Sequence, residues 1–190
     1  MKASNAPGTL KPILFNTEMV RAILAGKKTC TRRIAKSEKP PFAVGDILYV
    51  RETWNGDWCD HYIYKADGGS AKAAGYTAEP KWRPSIHMPK EAARLFLRVT
   101  GVRVERLKDI DGHGILKEGI DNGKSNPAMG TRWENMQSMA FAELWNSTLK
   151  SADLPLYGWA ANPWVWVIEF ERISKDEALG GGGDDCTDAH

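Results

Sequence analysis

Two parts of this sequence carry residues able to move a proton or attack an electrophile. Lys28 and Thr31 stand in the run Gly26-Lys27-Lys28-Thr29-Cys30-Thr31-Arg32-Arg33. A lysine crowded by other cations, or partly desolvated, has its pKa pushed down from ~10.4, which frees the amine as a base or nucleophile near neutral pH. A threonine hydroxyl close by would then have a proton acceptor. The plainer role for Lys27 and Lys28 is to complement the negative end of a helix dipole, a surface effect worth about 0.3–1 kcal/mol. Glu118 is the carboxylate that stands out. It follows Ile115, Leu116 and Lys117 and precedes Gly119, at the expected end of a short helix, where the dipole disfavours negative charge. Its plainer role is that of an exposed surface glutamate. The i, i+3 spacing sets Lys28 and Thr31 on opposite sides of an ideal strand, so joint action needs a twist or turn between them.

Aromatic rings beside arginines form a second group: Trp54 after Arg51-Glu52, Trp58, and Trp82 before Arg83-Pro84-Ser85-Ile86-His87-Met88. A flat heterocycle stacks on indole while guanidinium groups meet its carbonyls or a phosphate, although tryptophans also simply fill a core. Cys59-x-His61 is the one close Cys/His pair. No C-x₂₋₄-C or H-x₃₋₅-H spacing accompanies it, so no metal is expected. Gly180 to Gly183 precedes an acidic tail and reads as a linker rather than a phosphate cradle. No cofactor is implied.

The elements that must position these groups follow from periodicity and turn signals. Lys11 to Phe15 reads as a strand. Thr17 is placed to cap a helix carrying Met19, Val20, Ile23 and Leu24, ended by a left-handed Gly26. Ile47 to Trp54 and Tyr62 to Lys65 read as strands, and Gly68 to Pro80 as an insertion or lid. Arg94 to Leu107 is a long strand broken at Gly101, Asp109 to Ile120 holds a short glycine-weakened helix, and Asp121 to Gly130 is a loop. Met136 to Leu149 is a helix with Met136, Ala140, Leu144 and Trp145 on one face, and Trp164 to Ile173 is a strand with one buried face. Short strands with few helices indicate a small α+β, barrel-like sheet.

A chain of 190 residues with 42% hydrophobic and 26% charged residues fits one globular domain and excludes disorder, collagen and coiled coil as the overall class. The longest uncharged stretch, Leu154 to Ile168, is interrupted by prolines and a glycine and is shorter than the ~20 apolar residues a membrane span needs. The amino terminus has no apolar signal core, so cytoplasmic localisation is expected. Cys30, Cys59 and Cys186 have no framework spacing. The net charge of +2 conceals segregation: residues 1–40 carry nine Lys/Arg against two Glu, and residues 176–190 carry five acids and no Lys/Arg. The basic end can attract anionic partners.

The run Ile13-Leu14-Phe15-Asn16 with Ile23 to Arg33 resembles the opening of ASCH-domain proteins of the PUA superfamily. Gly45 to Trp54, Trp82 to Pro89 and Asn162 to Glu169 extend the similarity over about residues 11–173, toward the larger, prophage-encoded branch. The resemblance implies a PUA-like β pseudo-barrel with a few flanking helices and a cleft, spanning 11–175 between a flexible 1–10 and a disordered 176–190. One small bacterial branch hydrolyses N4-acetylcytidine with a lysine, a threonine and a glutamate. Its G-[KR]-K-T-x-T motif matches Gly26 to Thr31, which implies Lys28, Thr31 and Glu118 as catalytic residues. Arg33, Arg51, Glu52, Trp54, Ser85 and His87 are then candidates for holding base or sugar. The expected partner is a modified nucleoside or base, with RNA as a further possibility, no membrane, and a monomer or weak dimer. RNA binding or ribonuclease action by the same cleft is the rival reading, and a non-catalytic phage interaction protein a third.

Overall fold

The computed structural model describes residues 9–58, 61–68, 81–120 and 131–180. Among the described residues there are seven strands: β1 (Leu10–Leu14), β2 (Cys30–Ile34), β3 (Ile47–Arg51), β4 (Trp54–Trp58), β5 (His61–Tyr64), β6 (Phe96–Arg106) and β7 (Trp164–Ile173). The helices are α1 (Thr17–Leu24), α2 (Gly112–Lys117), α3 (Thr131–Ser147), the single turn α4 (Leu154–Tyr157) and α5 (Lys175–Leu179), joined by short 3₁₀ turns. The architecture is mixed α+β. Five strands form one sheet in the order β1-β3-β6-β7-β2, and β4 pairs with β5. Only β1 and β3 run parallel; β3, β6, β7 and β2 alternate antiparallel.

β1 and β2 are the two edges of this sheet, yet they meet: an Arg33 guanidinium N–H donates to the Leu14 carbonyl at 2.9 Å. The sheet therefore curls into an incompletely closed barrel whose seam lies between β1 and β2. Its interior is filled by Ile13, Phe15, Leu48, Val50, Leu97, Val99, Ile168 and Phe170, with Val20 and Ile23 of α1 sealing one end. The opposite face of β7 and β2 presents Val165, Val167 and Cys30 to Ile115 of α2 and to Phe141 and Trp145 of α3. With apolar layers on both sides, β2 is buried on both faces, which is how it carries Thr31 and Arg32 inside at once.

Several boundaries differ from the sequence expectation. Asn16, not Thr17, caps α1, its side chain accepting from the Met19 N–H at 2.9 Å; an Asx side chain at this extended position reaches the first free amides. Gly26 is left-handed as expected, with φ +70°. The strand expected to run from Ile47 to Trp54 stops at Arg51, and Trp54 begins the β4–β5 hairpin. The break in β6 is a register shift between Val99 and Gly101, where a Cβ on Gly101 would come within 2.9 Å of Glu169. Regular structure also begins earlier and ends later than 11–175. Leu10 pairs with Ile47, and α5 is capped by Ser174, packs Ala178 against the Trp54 cluster and ties Glu177 to Arg98. Most of the insertion at 68–80, the loop at 121–130 and the segments 1–8 and 181–190 lie outside the described residues.

Candidate active site

Glu118 is the residue on which the candidate site converges. It is the C-cap of α2, whose start is fixed by Asp111 accepting from the Gly114 N–H at 2.7 Å. The chain after α1 runs back along this end. Thr29 N–H donates to the Lys117 carbonyl at 2.9 Å, and Lys28 and Glu118 form an isolated antiparallel bridge. Gly119 permits that approach: it has φ +82°, and a Cβ there would lie 2.7 Å from the Ala22 Cβ and 2.9 Å from the Lys28 Cβ. The helix-end position that makes Glu118 unfavourable in isolation is thus compensated by cations from another element.

Those cations are Lys28 and Arg32. Lys28 Nζ donates to Glu118 Oε2 at 2.6 Å and to the Glu118 carbonyl at 3.0 Å, and Arg32 Nη1 donates to Oε1 at 3.2 Å. The Lys28 side chain is wholly buried, and its ammonium lies 5.7 Å from the centre of the Phe15 ring. Burial drives the Lys28 pKa below its usual value; Glu118 opposes this and Arg33 adds to it. Arg32 extends the network, with Nη2 donating to Glu105 Oε2 at 3.3 Å. Cys30, on the same face of β2, has its thiol pushed up to about 12 by burial and the nearby Glu118 charge.

A cavity of about 450 Å³ opens beside this cluster, lined among others by Phe15, Met19, Thr31, Arg33, Glu118 and Trp145. Its volume suits a small ligand. The structure thus brings Lys28 and Glu118 into contact, and Thr31 and Glu118 both line the cavity. Among the described residues the Thr31 side chain makes no hydrogen bond, and Lys28 sits behind Glu118 rather than on the wall. Lys28 precedes β2 and pairs with Glu118 after α2, whereas Thr31 lies within the strand opposite Ile168.

Of the residues proposed to hold base or sugar, Arg33 alone lines this cavity, its guanidinium 5.3 Å from the centre of the Phe15 ring. Arg51, Glu52, Trp54, Ser85 and His87 gather elsewhere. Arg51 donates to the Ile86 carbonyl within the turn Ser85–His87. Glu52 is buried and accepts two hydrogen bonds from Arg94, at 2.9 and 3.1 Å. Trp54 is not an open stacking platform. Arg83 lies 5.4 Å above its ring, Tyr62 meets it edge-on at 5.7 Å, and it packs with Met88 and Phe96. His87 is exposed, and the side chain of Trp58 lies outside the described residues. Arg32 and the wall formed by the end of α3 were not singled out as site residues. Trp145 reads in sequence as ordinary core, and nothing in the spacing separates Arg32 from the rest of the basic run.

No family model matches the chain, and no curated protein matches it. Its backbone is similar to that of an ASCH domain from Lactobacillus crispatus JV V101, at 12% identity and TM-score 0.43, over 87% of this chain and 80% of that one. It is also similar to the hypothetical protein PH0355, at 16% identity and TM-score 0.42, over 87% of this chain and 100% of that one. A third likeness is to protein EF3133 from Enterococcus faecalis V583, at 10% identity and TM-score 0.46, over 90% of this chain and 83% of that one. These are likenesses of backbone; the chemistry below comes from this chain's own residues. Among the described residues, no helix is long and apolar enough to cross a membrane.

Proposed function

We propose that the protein is an amidohydrolase that removes an acyl group from the exocyclic N4 of a modified cytidine such as N4-acetylcytidine. The buried Lys28–Glu118 pair, 2.6 Å apart, with Glu118 lining the same cavity as Thr31, carries this reading. A proton passing from Lys28 Nζ to Glu118 Oε2 converts an ammonium–carboxylate pair into a free amine and a carboxylic acid. Burial disposes the Lys28 ammonium to give up its proton. The amine then takes the proton of Thr31, or of a water Thr31 holds, as the oxygen bonds to the acyl carbon. Glu118 returns its proton to the departing N4 amine as the C–N bond breaks. If Thr31 itself carries the acyl group, water cleaves the ester, its hydroxyl bonding to the acyl carbon and its proton returning to the Thr31 oxygen as the ester bond breaks, with the Lys28–Glu118 pair as the relay. Lys28, set behind the wall, serves Thr31 and Glu118 rather than the substrate.

Release of cytidine from N4-acetylcytidine, followed by chromatography, tests this. Lys28→Met, Thr31→Val and Glu118→Gln are each expected to lower kcat by about 10²–10⁴-fold. Wild-type turnover in Lys28→Ala and Glu118→Ala would overturn the assigned roles.

One observation favours RNA as a second reading. A groove shares Leu14, Arg33 and Ile34 with the cavity, and it shares Lys36, Ser37 and Trp166 with a further hollow that reaches Trp164. Trp164 is 49% exposed with Arg106 lying 4.3 Å from its ring centre, an arrangement suited to stacked bases and phosphate. RNA affinity would then fall by about 0.7 log units per phosphate contact for each log unit of salt; salt-insensitive binding, or none, rejects this reading.

A further inference from the structure

Thr31, Arg32, Arg33 and Ile34 all line the cavity. Successive side chains on a strand point to opposite faces. Four consecutive residues therefore bound one space only when that space lies along the strand's edge, against the backbone itself. β2 is such an edge strand, with β7 as its sheet neighbour. The phase of its hydrogen bonding is set at both ends: Phe170 N–H donates to the Thr29 carbonyl and Ala35 N–H to the Trp164 carbonyl, each at 2.9 Å. In an antiparallel ladder alternate residues make the bonds. Thr31 and Arg33 thus turn their backbone groups to β7, while Arg32 and Ile34 turn theirs to the cavity. The Ile34 carbonyl accepts from Lys36 N–H at 3.1 Å. Among the described residues, the N–H groups of Arg32 and Ile34 meet no partner.

We propose that this free edge is the recognition element of the cavity. The N–H of Arg32 donates to the acyl carbonyl oxygen of a small planar amide and the Arg32 carbonyl accepts from a ligand N–H, while the Ile34 N–H, two strand rises further along, is left for a second ligand acceptor. This rests on the amidohydrolase reading and assigns the groups that hold its substrate. As the acyl carbon is attacked its oxygen gains negative charge, and a donor fixed in a strand stabilises that charge without having to reorganise. A strand from another chain is the usual occupant of an open edge, but here Phe141 and Trp145 of α3 and Leu149 just beyond it line the space, and the Leu14 carbonyl is already taken by Arg33.

Residue-resolved amide hydrogen exchange reads this edge in the wild-type protein without substrate. Arg32 and Ile34 are expected to exchange about tenfold or more faster than Thr31 and Arg33; equal protection of all four overturns the inference whatever the activity. The second arm titrates Thr31→Val with N4-acetylcytidine and with cytidine, following ¹H–¹⁵N resonances. N4-acetylcytidine is expected to shift the Arg32 amide proton downfield and slow its exchange, whereas cytidine, lacking the acyl carbonyl, leaves it in place. Binding of N4-acetylcytidine with the Arg32 amide unmoved overturns edge recognition and leaves hydrolysis standing. Failure of N4-acetylcytidine to bind at all overturns both.

Discussion

Two buried carboxylates in this molecule are held by arginines, and the difference between them separates chemistry from clasping. Glu52 is 1% exposed, and both its oxygens are taken by the one guanidinium of Arg94, which also lies 3.9 Å from the Tyr64 ring centre and reaches Asp67. The Tyr64 hydroxyl donates to the Ala92 carbonyl, so the cluster joins the end of β3, the β4–β5 hairpin and the segment before β6. Glu118 divides its two oxygens between two cations, one of them an amine that burial disposes to lose its proton, and it borders a cavity. A bidentate arginine is a permanent charge in a fixed fork, suited to holding. A lysine sharing a carboxylate with a second cation can exchange a proton with it.

The largest expected effects cross over between the two sites. Glu118→Gln is expected to reduce deacylation by about 10²–10⁴-fold, and Arg94→Met to leave kcat of the folded protein within about twofold while lowering stability by about 3 kcal/mol, because a buried carboxylate loses its partner. Urea unfolding and chromatographic turnover on both variants check this. If Arg94→Met abolishes turnover in folded protein, or Glu118→Gln spares it, the division is wrong.

The Glu118 cluster was more legible in the sequence than the Glu52 clasp. Lys28 and Glu118 owe their contact to two short local devices, the left-handed Gly26 after α1 and the α2 end at Glu118, both marked by glycines that punctuate the sequence, whereas the grouping of Thr31 with them came from the family resemblance. Most strands and helices were legible through period and turn residues. Arg51, Glu52, Trp54, Ser85 and His87 looked like a binding set because aromatic and basic residues alternate there. The alternation instead reflects cross-contacts that close a hairpin onto a 3₁₀ segment, such as Trp54 N–H to the Arg83 carbonyl at 3.2 Å. Arg32 was invisible as a site residue because its role depends on β2 being buried on both faces, a fact set by α2 and α3 far along the chain. The Asn16 cap was displaced by one residue because Asn and Thr are both competent caps and only the backbone turn decides between them.

A smaller effect probes the contact that brings the first site together. Gly119→Ala would place a methyl group within 2.9 Å of the Lys28 Cβ at a backbone angle of φ +82°. Left-handed strain costs about 1–3 kcal/mol for a non-glycine residue, and relief by moving the α2 end would lengthen the Lys28–Glu118 contact. Lower stability together with a deacylation loss greater than the unfolded fraction explains is the expected result. A loss of stability with full activity in the folded fraction would mean that the 2.6 Å contact tolerates displacement and that its proton transfer is not the sensitive step.

The smallest effect distinguishes the two clusters by the sign of their pH dependence. Burial raises the Glu52 pKa above 4.5, and Arg94 pulls it back only in part. The folded state then binds that proton more tightly than the unfolded state, so Glu52 lowers stability as pH rises from about 4.5 through its folded pKa. Lys28 behaves oppositely: its folded pKa lies below 10.5, the unfolded chain binds the proton more tightly, and stability recovers as pH rises from the folded pKa toward 10.5. Unfolding midpoints measured from pH 4 to 10 should therefore show Glu52→Gln diverging from wild type on the acid limb and Lys28→Met on the alkaline limb. Parallel curves for Glu52→Gln would show that Arg94 fully compensates the buried carboxylate. Parallel curves for Lys28→Met would show that the amine stays protonated throughout, removing the base on which the proposed hydrolysis depends.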